Sequence, residues 1–287
     1  LPLDDWQWRN PQPQGNDLHA VIFADGRFVA VGDHGSVLQS VDGAQWTVQN
    51  LETTVALRSL ARGHGVFVAA GYDRTIGYFP VPAVVVSEDG GDWRAVRLED
   101  APPAWVNAVA FGNGVFVMVG PAAIWGTTTF LMTSTNGADW QDRSLPTPSP
   151  LYDVTFAAGL FVSVGQTAGG GPLILTSPDG VNWTARGVEA GAPLRRVAYG
   201  HGRFVAVADY LSVPLVYTSV DGATWTRSIG ELPAPSPWFS EHLGFGAGRF
   251  LLTARTTSTV EPPRVMLTSP DGLAWTRVDL GAASNLF

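Results

Sequence analysis

The sequence predicts an all-β fold, a six-bladed β-propeller of four-stranded antiparallel blades, on three observations. A heptapeptide S-x-D-G-x-x-W occurs six times, at 40–46, 87–93, 134–140, 177–183, 219–225 and 269–275, with Asn136 replacing Asp in the third copy. Successive tryptophans lie 47, 47, 43, 42 and 50 residues apart, a period that suits four short strands. Upstream of each heptapeptide stand two apolar runs joined by a glycine turn, as in VIFADGRFVAVG at 21–32 and VTFAAGLFVSVG at 154–165. No stretch holds a helical period over three turns. A seven-bladed alternative needs three more strands than the chain holds.

Within each unit the elements follow in order. The first and second strands meet at Asp25-Gly26, His64-Gly65, Asn113-Gly114, Ala158-Gly159, His201-Gly202 and Ala247-Gly248, where Gly supplies the positive φ of a tight hairpin. The second strand carries Phe28, Phe67, Phe116, Phe161, Phe204 or Phe250. A third strand, such as 172–176, enters the Asp-Gly turn, and a fourth starts at the tryptophan. Each run is short, rich in β-branched or aromatic residues, and bounded by turn residues. Blades are placed at 17–51, 57–98, 105–146, 151–189, 194–230 and 240–280, in one domain over 1–287. The segment DDWQWRN at 4–10 matches a fourth strand without its unit. Residues 1–16 are therefore expected to add to the outer edge of the last blade and close the ring.

Composition narrows the chemistry. Apolar residues make up 45% and charged residues 15%, which describes a globular chain. The absence of cysteine removes disulfides, thiolate metal sites and cysteine nucleophiles. All 17 basic residues are arginine, so Schiff-base chemistry and a Walker lysine are excluded. A net charge of −8 opposes nucleic acid as a partner, and no apolar run is long enough to insert into a membrane.

The heptapeptide resembles the Asp box, or BNR repeat, of sialidase-like propellers, in a short variant with one residue fewer between Asp and Trp. The motif's role reads as structural. The carboxylate caps a turn, and the indole is expected to wedge between sheets. Full burial of roughly 150–250 Å² at about 25 cal/mol per Å² corresponds to about 4–6 kcal/mol. The resemblance implies a bacterial protein, secreted or periplasmic, and a processed chain starting at Leu1 fits export. Some short Asp-box propellers also resemble cofactor-free assembly factors.

Propeller topology places the short turns on one face and the long, variable loops on the other, where binding usually resides. The long loops carry Tyr72, Tyr78, Phe79, Trp105, Trp125, Tyr210, Trp238 and Phe239, which suit sugar rings or protein hot spots. Aligning the first strands on the aromatic before the Gly turn gives an apolar level two residues earlier: Val21, Leu60, Val109, Val154, Val197 and Leu243. Four residues earlier lies a polar level: His19, Arg58, Asn107, Tyr152, Arg195 and Glu241. Alternation puts both levels on one side of the strand, so the polar set is expected to ring the mouth of a central channel. A second level after the second strand comprises Asp33, Tyr72, Pro121, Gln166, Asp209 and Arg255. These levels, with Trp105, Trp125 and Trp238, form the candidate ligand site; a solvated entrance without ligand is the alternative.

The expected function is a non-enzymatic, monomeric scaffold that needs no cofactor or metal and binds a glycan or a protein partner. The alternative is a secreted carbohydrate-active enzyme with its site at the channel mouth. The sialidase Phe/Tyr-Arg-Ile-Pro motif is absent, so no catalytic residue carries over from that family. Glu241 and Asp209 are the only carboxylates placed as a pair that glycoside hydrolysis could use.

Overall fold

A computed structural model describes residues 15–98, 100–123, 129–189, 191–209, 215–228, 238–256 and 264–278. The expected N-terminal strand at 4–10, Trp125, Tyr210 and parts of four of the long loops (124–128, 210–214, 229–237 and 257–263) lie outside the described residues.

The strands form six separate four-stranded antiparallel sheets, the blades of a six-bladed β-propeller. Blade one contains β1 (Leu18–Ala24), β2 (Arg27–Gly32), β3 (Ser36–Ser40) and β4 (Thr47–Asn50), with a 3₁₀ turn at Asp33–Gly35. Blade two contains β5 (Ala56–Gly63), β6 (Val66–Asp73), β7 (Val81–Ser87) and β8 (Arg94–Val96). Blade three contains β9 (Ala108–Gly112), β10 (Val115–Pro121), β11 (Thr129–Ser134) and β12 (Gln141–Asp142). Blade four contains β13 (Leu151–Ala157), β14 (Leu160–Gln166), β15 (Pro172–Ser177) and β16 (Thr184–Arg186). Blade five contains β17 (Leu194–Gly200), β18 (Arg203–Ala208), β19 (Leu215–Ser219) and β20 (Thr226–Arg227). Blade six contains β21 (Trp238–Gly246), β22 (Arg249–Thr256), β23 (Arg264–Ser269) and β24 (Thr276–Val278). Each fourth strand begins one residue after its tryptophan.

By compactness the described chain divides into an N-terminal unit, 15–161 with 177–182, and a C-terminal unit, 162–176 with the residues from 183 onward. The division falls within blade four.

The first hairpin of every blade turns through two residues of positive φ, from Asp25 (51°) and Gly26 (74°) to Ala247 (48°) and Gly248 (75°). This two-residue turn matches strand twist. The middle strands are the core: Val29, Val31, Val68, Val117, Val162, Val205 and Leu252 are buried. In the N-terminal unit a Cβ on Gly63 would fall inside the Phe111 ring, and one on Gly112 inside Phe156. In the C-terminal unit Gly200 lies against Phe245 in the same way. Each of these glycines gives the next blade's aromatic a flat seat on backbone.

The heptapeptide closes on itself. Ser87 Oγ accepts the Gly90 N–H at 2.8 Å and donates to Asp89 Oδ1 at 3.0 Å; the same oxygen accepts the N–H groups of Gly91 (2.8 Å) and Asp92 (3.0 Å). Asn136 reproduces the arrangement with its amide oxygen, accepting from Ala138 at 2.9 Å and Asp139 at 2.8 Å. The indole N–H of Trp93 donates to Gly90 O at 2.7 Å, and its ring lies 6.4 Å from Phe67 of the same blade. Trp46, Trp225 and Trp275 repeat both contacts. Trp93, Trp140 and Trp275 also pack against apolar clusters drawn from two neighbouring blades, as the expected wedge between sheets requires. Of the six, only Trp225 is buried; the other indoles are half-buried, so the full-burial energy overstates their contribution.

Candidate functional site

Four first strands depart from regular pairing at the start, and the departure falls on the predicted polar residue. In β1 pairing with β2 skips from Leu18 to Ala20, passing His19; in β5 it skips Arg58. In β17 it skips Arg195, and in β21 it skips Glu241. A bulge adds a residue and re-aims its side chain, so simple alternation does not carry through this level. The apolar level above it is buried at Leu60, Val109, Val154 and Val197, but Val21 is 58% exposed and Leu243 is half-buried.

The opposing strand shows why the bulge fits. A Cβ on Gly32 would overlap the Asp17 carbonyl oxygen, and one on Gly71 the Ala56 oxygen. In blade three, where Asn107 precedes β9, a Cβ on Gly120 would overlap the Trp105 oxygen. Glycine there lets the backbone of the bulged segment close in.

In the N-terminal unit the bulge residues of two blades meet. His19 Nε2 lies 2.7 Å from Asp33 Oδ1 and 2.9 Å from Arg58 Nη1. His19 and Asp33 are 15% and 31% exposed. One ring nitrogen thus faces both an acceptor and a donor. Protonated, Nε2 donates to Asp33; unprotonated, it accepts from Arg58. Asn107 donates from Nδ2 to Leu151 O at 3.4 Å. Tyr72, Trp105, Pro121 and Tyr152 are half-buried at the corresponding ends of blades two, three and four.

In the C-terminal unit Asp209 is the hub. Its Oδ2 accepts from Arg195 Nε at 2.8 Å, and its Oδ1 accepts from both Ser240 N and Ser240 Oγ at 2.8 Å. Both carboxylate oxygens are therefore committed to a link between blades five and six. Glu241 meets Arg196 through its backbone, with Arg196 Nε donating to Glu241 O at 2.6 Å. Arg255 is exposed and lies over the Phe239 ring at 5.8 Å. Gln166 ends β14 half-buried, and Trp238 opens β21 opposite Thr256.

The most perturbed carboxyls sit elsewhere, in the heptapeptide turns. Backbone N–H groups of Asp92 and Gly91, then the Ser87 hydroxyl, hold Asp89 down at about 2. The Thr224 and Ala223 N–H groups do the same for Asp221, also about 2. Asp42, Asp179 and Asp271 are lowered in the same manner, first by the N–H groups of Gln45, Asn182 and Leu273 respectively. Donors aimed at a carboxylate favour its charged form. These shifts are the signature of capped turns.

Sequence reasoning singled out Tyr78 and Phe79 but missed their setting. Tyr78 is 94% exposed and Phe79 40%, and Ile76 (63%) and Val81 (40%) flank them. Ile76 and Val81 also line a cavity of about 380 Å³ between the blade one–two connector and the outer strands of blade two. The run Ile76-Gly-Tyr-Phe-Pro-Val81, apolar in a loop, was the available signal.

No family model matches the chain, and no curated protein matches it by sequence. Solved structures do share its fold. A structure described as YCF48 bound to D1 peptide is 14% identical with a TM-score of 0.64, covering 92% of this chain and 81% of that one. A GH74 xyloglucanase from Xanthomonas campestris is 15% identical with a TM-score of 0.62, covering 93% of this chain and 46% of that one. A nidogen/laminin complex contains a chain 9% identical with a TM-score of 0.58, covering 88% of this chain and 92% of that one. The chain is thus similar in fold to structures described as a peptide complex, a xyloglucanase and a protein complex.

Proposed function

We propose that this chain is a non-enzymatic Asp-box propeller that binds a partner protein through an extended segment. The observation that carries this reading is the state of Asp209: both oxygens are taken by Arg195 and Ser240. A general acid or nucleophile needs a carboxyl free to take a proton or reach a substrate, and Asp209 is instead a rivet. Arg58 and Arg195 are held by neighbours rather than left to swing, which lowers the entropy cost of meeting acceptor groups on a partner. The six S-x-D-G-x-x-W turns support placing the chain among Asp-box propellers, and two of the fold-alike structures carry peptide or protein partners in their descriptions.

The test combines a peptide array, a glycan array and chromogenic glycosides. Peptide binding should weaken about tenfold in Arg58→Ala, a change of roughly 1.4 kcal/mol, with no glycoside turnover above buffer. Turnover that Asp209→Asn or Glu241→Gln abolishes would overturn the proposal.

A further inference from the structure

Two bulges bring charges of both signs to one imidazole nitrogen. In β1 the pairing with β2 passes over His19, and in β5 the pairing with β6 passes over Arg58. Both side chains are thereby re-aimed at the same end of adjacent blades. Asp33 comes from the 3₁₀ turn after β2, where its own N–H donates to Asp17 O at 2.9 Å. The His19 Nε2 atom ends 2.7 Å from Asp33 Oδ1 and 2.9 Å from Arg58 Nη1. With His19 15% and Asp33 31% exposed, water screens these contacts less than it would on an open surface.

One nitrogen cannot serve both neighbours. With the ring neutral and its proton on Nδ1, Nε2 has a lone pair and accepts from Arg58. With the ring protonated, Nε2 donates to Asp33, keeps no lone pair, and sets a positive charge against the guanidinium. The other charged groups of the packed elements are engaged elsewhere. Arg27 of β2 and Arg62 of β5 stand at the opposite, hairpin end, bonded to Gln39 and Asp25. Tyr72 and Asp73 end β6, and both Asp73 oxygens are taken by Thr54 and Thr75. Asp17 and His34 are exposed. Among the described residues, Asp33 and Arg58 are the charged groups bonded to the His19 ring.

We infer that His19 is a proton-operated latch on Arg58, holding the guanidinium when the ring is neutral and letting it go when the ring is protonated. Imidazole is the side chain suited to such a change between pH 5 and 8. The latch itself stands on bonds within blades one and two. As regulation of binding it rests on the protein-binding reading above, which uses an Arg58 held in place. Acid then removes the placed arginine, and binding that leans on it weakens.

The experiment follows the full chain, labelled with 15N and 13C, by NMR from pH 8 to pH 5. The Arg58 Nε–Hε signal should move with the same midpoint as the His19 ring carbons. In His19→Gln the amide can accept from Arg58 and donate to Asp33 without titrating, so the Arg58 signal should stay still. Asp33→Asn weakens the acceptor of the protonated state and should demand a lower pH for the same change. An unchanged melting temperature at pH 8 checks the fold of each variant, and the parent titration decides alone if a variant fails that check. An array peptide that needs Arg58 should bind more weakly at pH 5 than at pH 8, by no more than about the tenfold that Arg58 supplies, and His19→Gln should remove the difference. An Arg58 signal indifferent to pH, a His19 ring that keeps one state throughout, or an Arg58 shift that persists in His19→Gln overturns the inference. Peptide binding that still depends on Arg58 would then leave the protein-binding reading standing. A working latch without any peptide binding would instead remove that reading and keep the latch.

Discussion

Glycines that look alike in the repeat serve different physical needs. Gly65, with φ of 76° and open space around its Cα, is needed only for its backbone conformation. Gly71 has an ordinary φ but no room, because a Cβ would overlap the Ala56 carbonyl at the bulge. Gly65→Ala should therefore cost about 1–2 kcal/mol, the strain of left-handed backbone. Gly71→Ala should cost more, roughly 2–4 kcal/mol, by prising β5 from β6. Urea denaturation of the two variants checks the order, and equal losses would contradict it. Arg62 is likewise explained locally. It replaces the aromatic of the other first strands, donates to Asp25 at 2.7 Å, and covers the Phe67 ring at 4.4 Å. The guanidinium does a ring's packing while pairing with the preceding blade's turn.

At the scale of elements, the short turns do more than reverse the chain. The first residue of one turn reaches the glycine of the next: His64 Nε2 lies 3.3 Å from Gly114 O, and Asn113 Nδ2 donates to Gly159 O at 3.4 Å. In the C-terminal unit His201 Nε2 lies 3.0 Å from Gly248 O, its ring packed edge-on against Phe245. Each His or Asn both tolerates positive φ and joins two blades. Ala158 and Ala247 adopt the same positive φ but have no polar side chain to join the next blade, and these are the last such turns of their units. His201→Ala should lower stability by about 0.5–1.5 kcal/mol, the net value of one hydrogen bond, with added loss from the ring contact. His201→Asn should recover part of it, since Asn113 makes the equivalent bond. Thermal melting of both variants tests this; equal melting points for His201→Ala and the parent would refute the link.

Over the whole molecule, the heptapeptide turns add up to a pH dependence. Five Asp side chains have folded-state pKa values below the ordinary 3.8, with Asp89 and Asp221 at about 2. A carboxyl whose pKa falls on folding stabilises the folded state above its unfolded pKa, and that contribution disappears as pH drops through the folded one. Stability should thus be flat with respect to these groups above about pH 5 and decline between about pH 4 and 2. Asn136 provides the internal control, because its amide accepts the same bonds without titrating. Asp89→Asn should fold and show a shallower acid decline in urea midpoints measured across that window. An unchanged slope would mean that the turn is not a source of the acid sensitivity.

The repeat, the hairpin turns and the blade count were legible in the residues alone, because turn glycines, alternating apolar runs and the Ser-Asp-Trp turn act over a few neighbouring positions. The same locality exposed the polar level of His19, Arg58, Arg195 and Glu241 as an anomaly in otherwise apolar strands. What each of those side chains meets depends on backbone register and on residues far away in the chain. His19 finds Arg58 thirty-nine positions on, and Asp209 finds Ser240 thirty-one positions on. The bulges that re-aim them come from strand pairing, which no single strand encodes. The same holds for the cavity of blade two: only the paired sheet decides that β8 stops pairing with β7 at Val84 and leaves a gap.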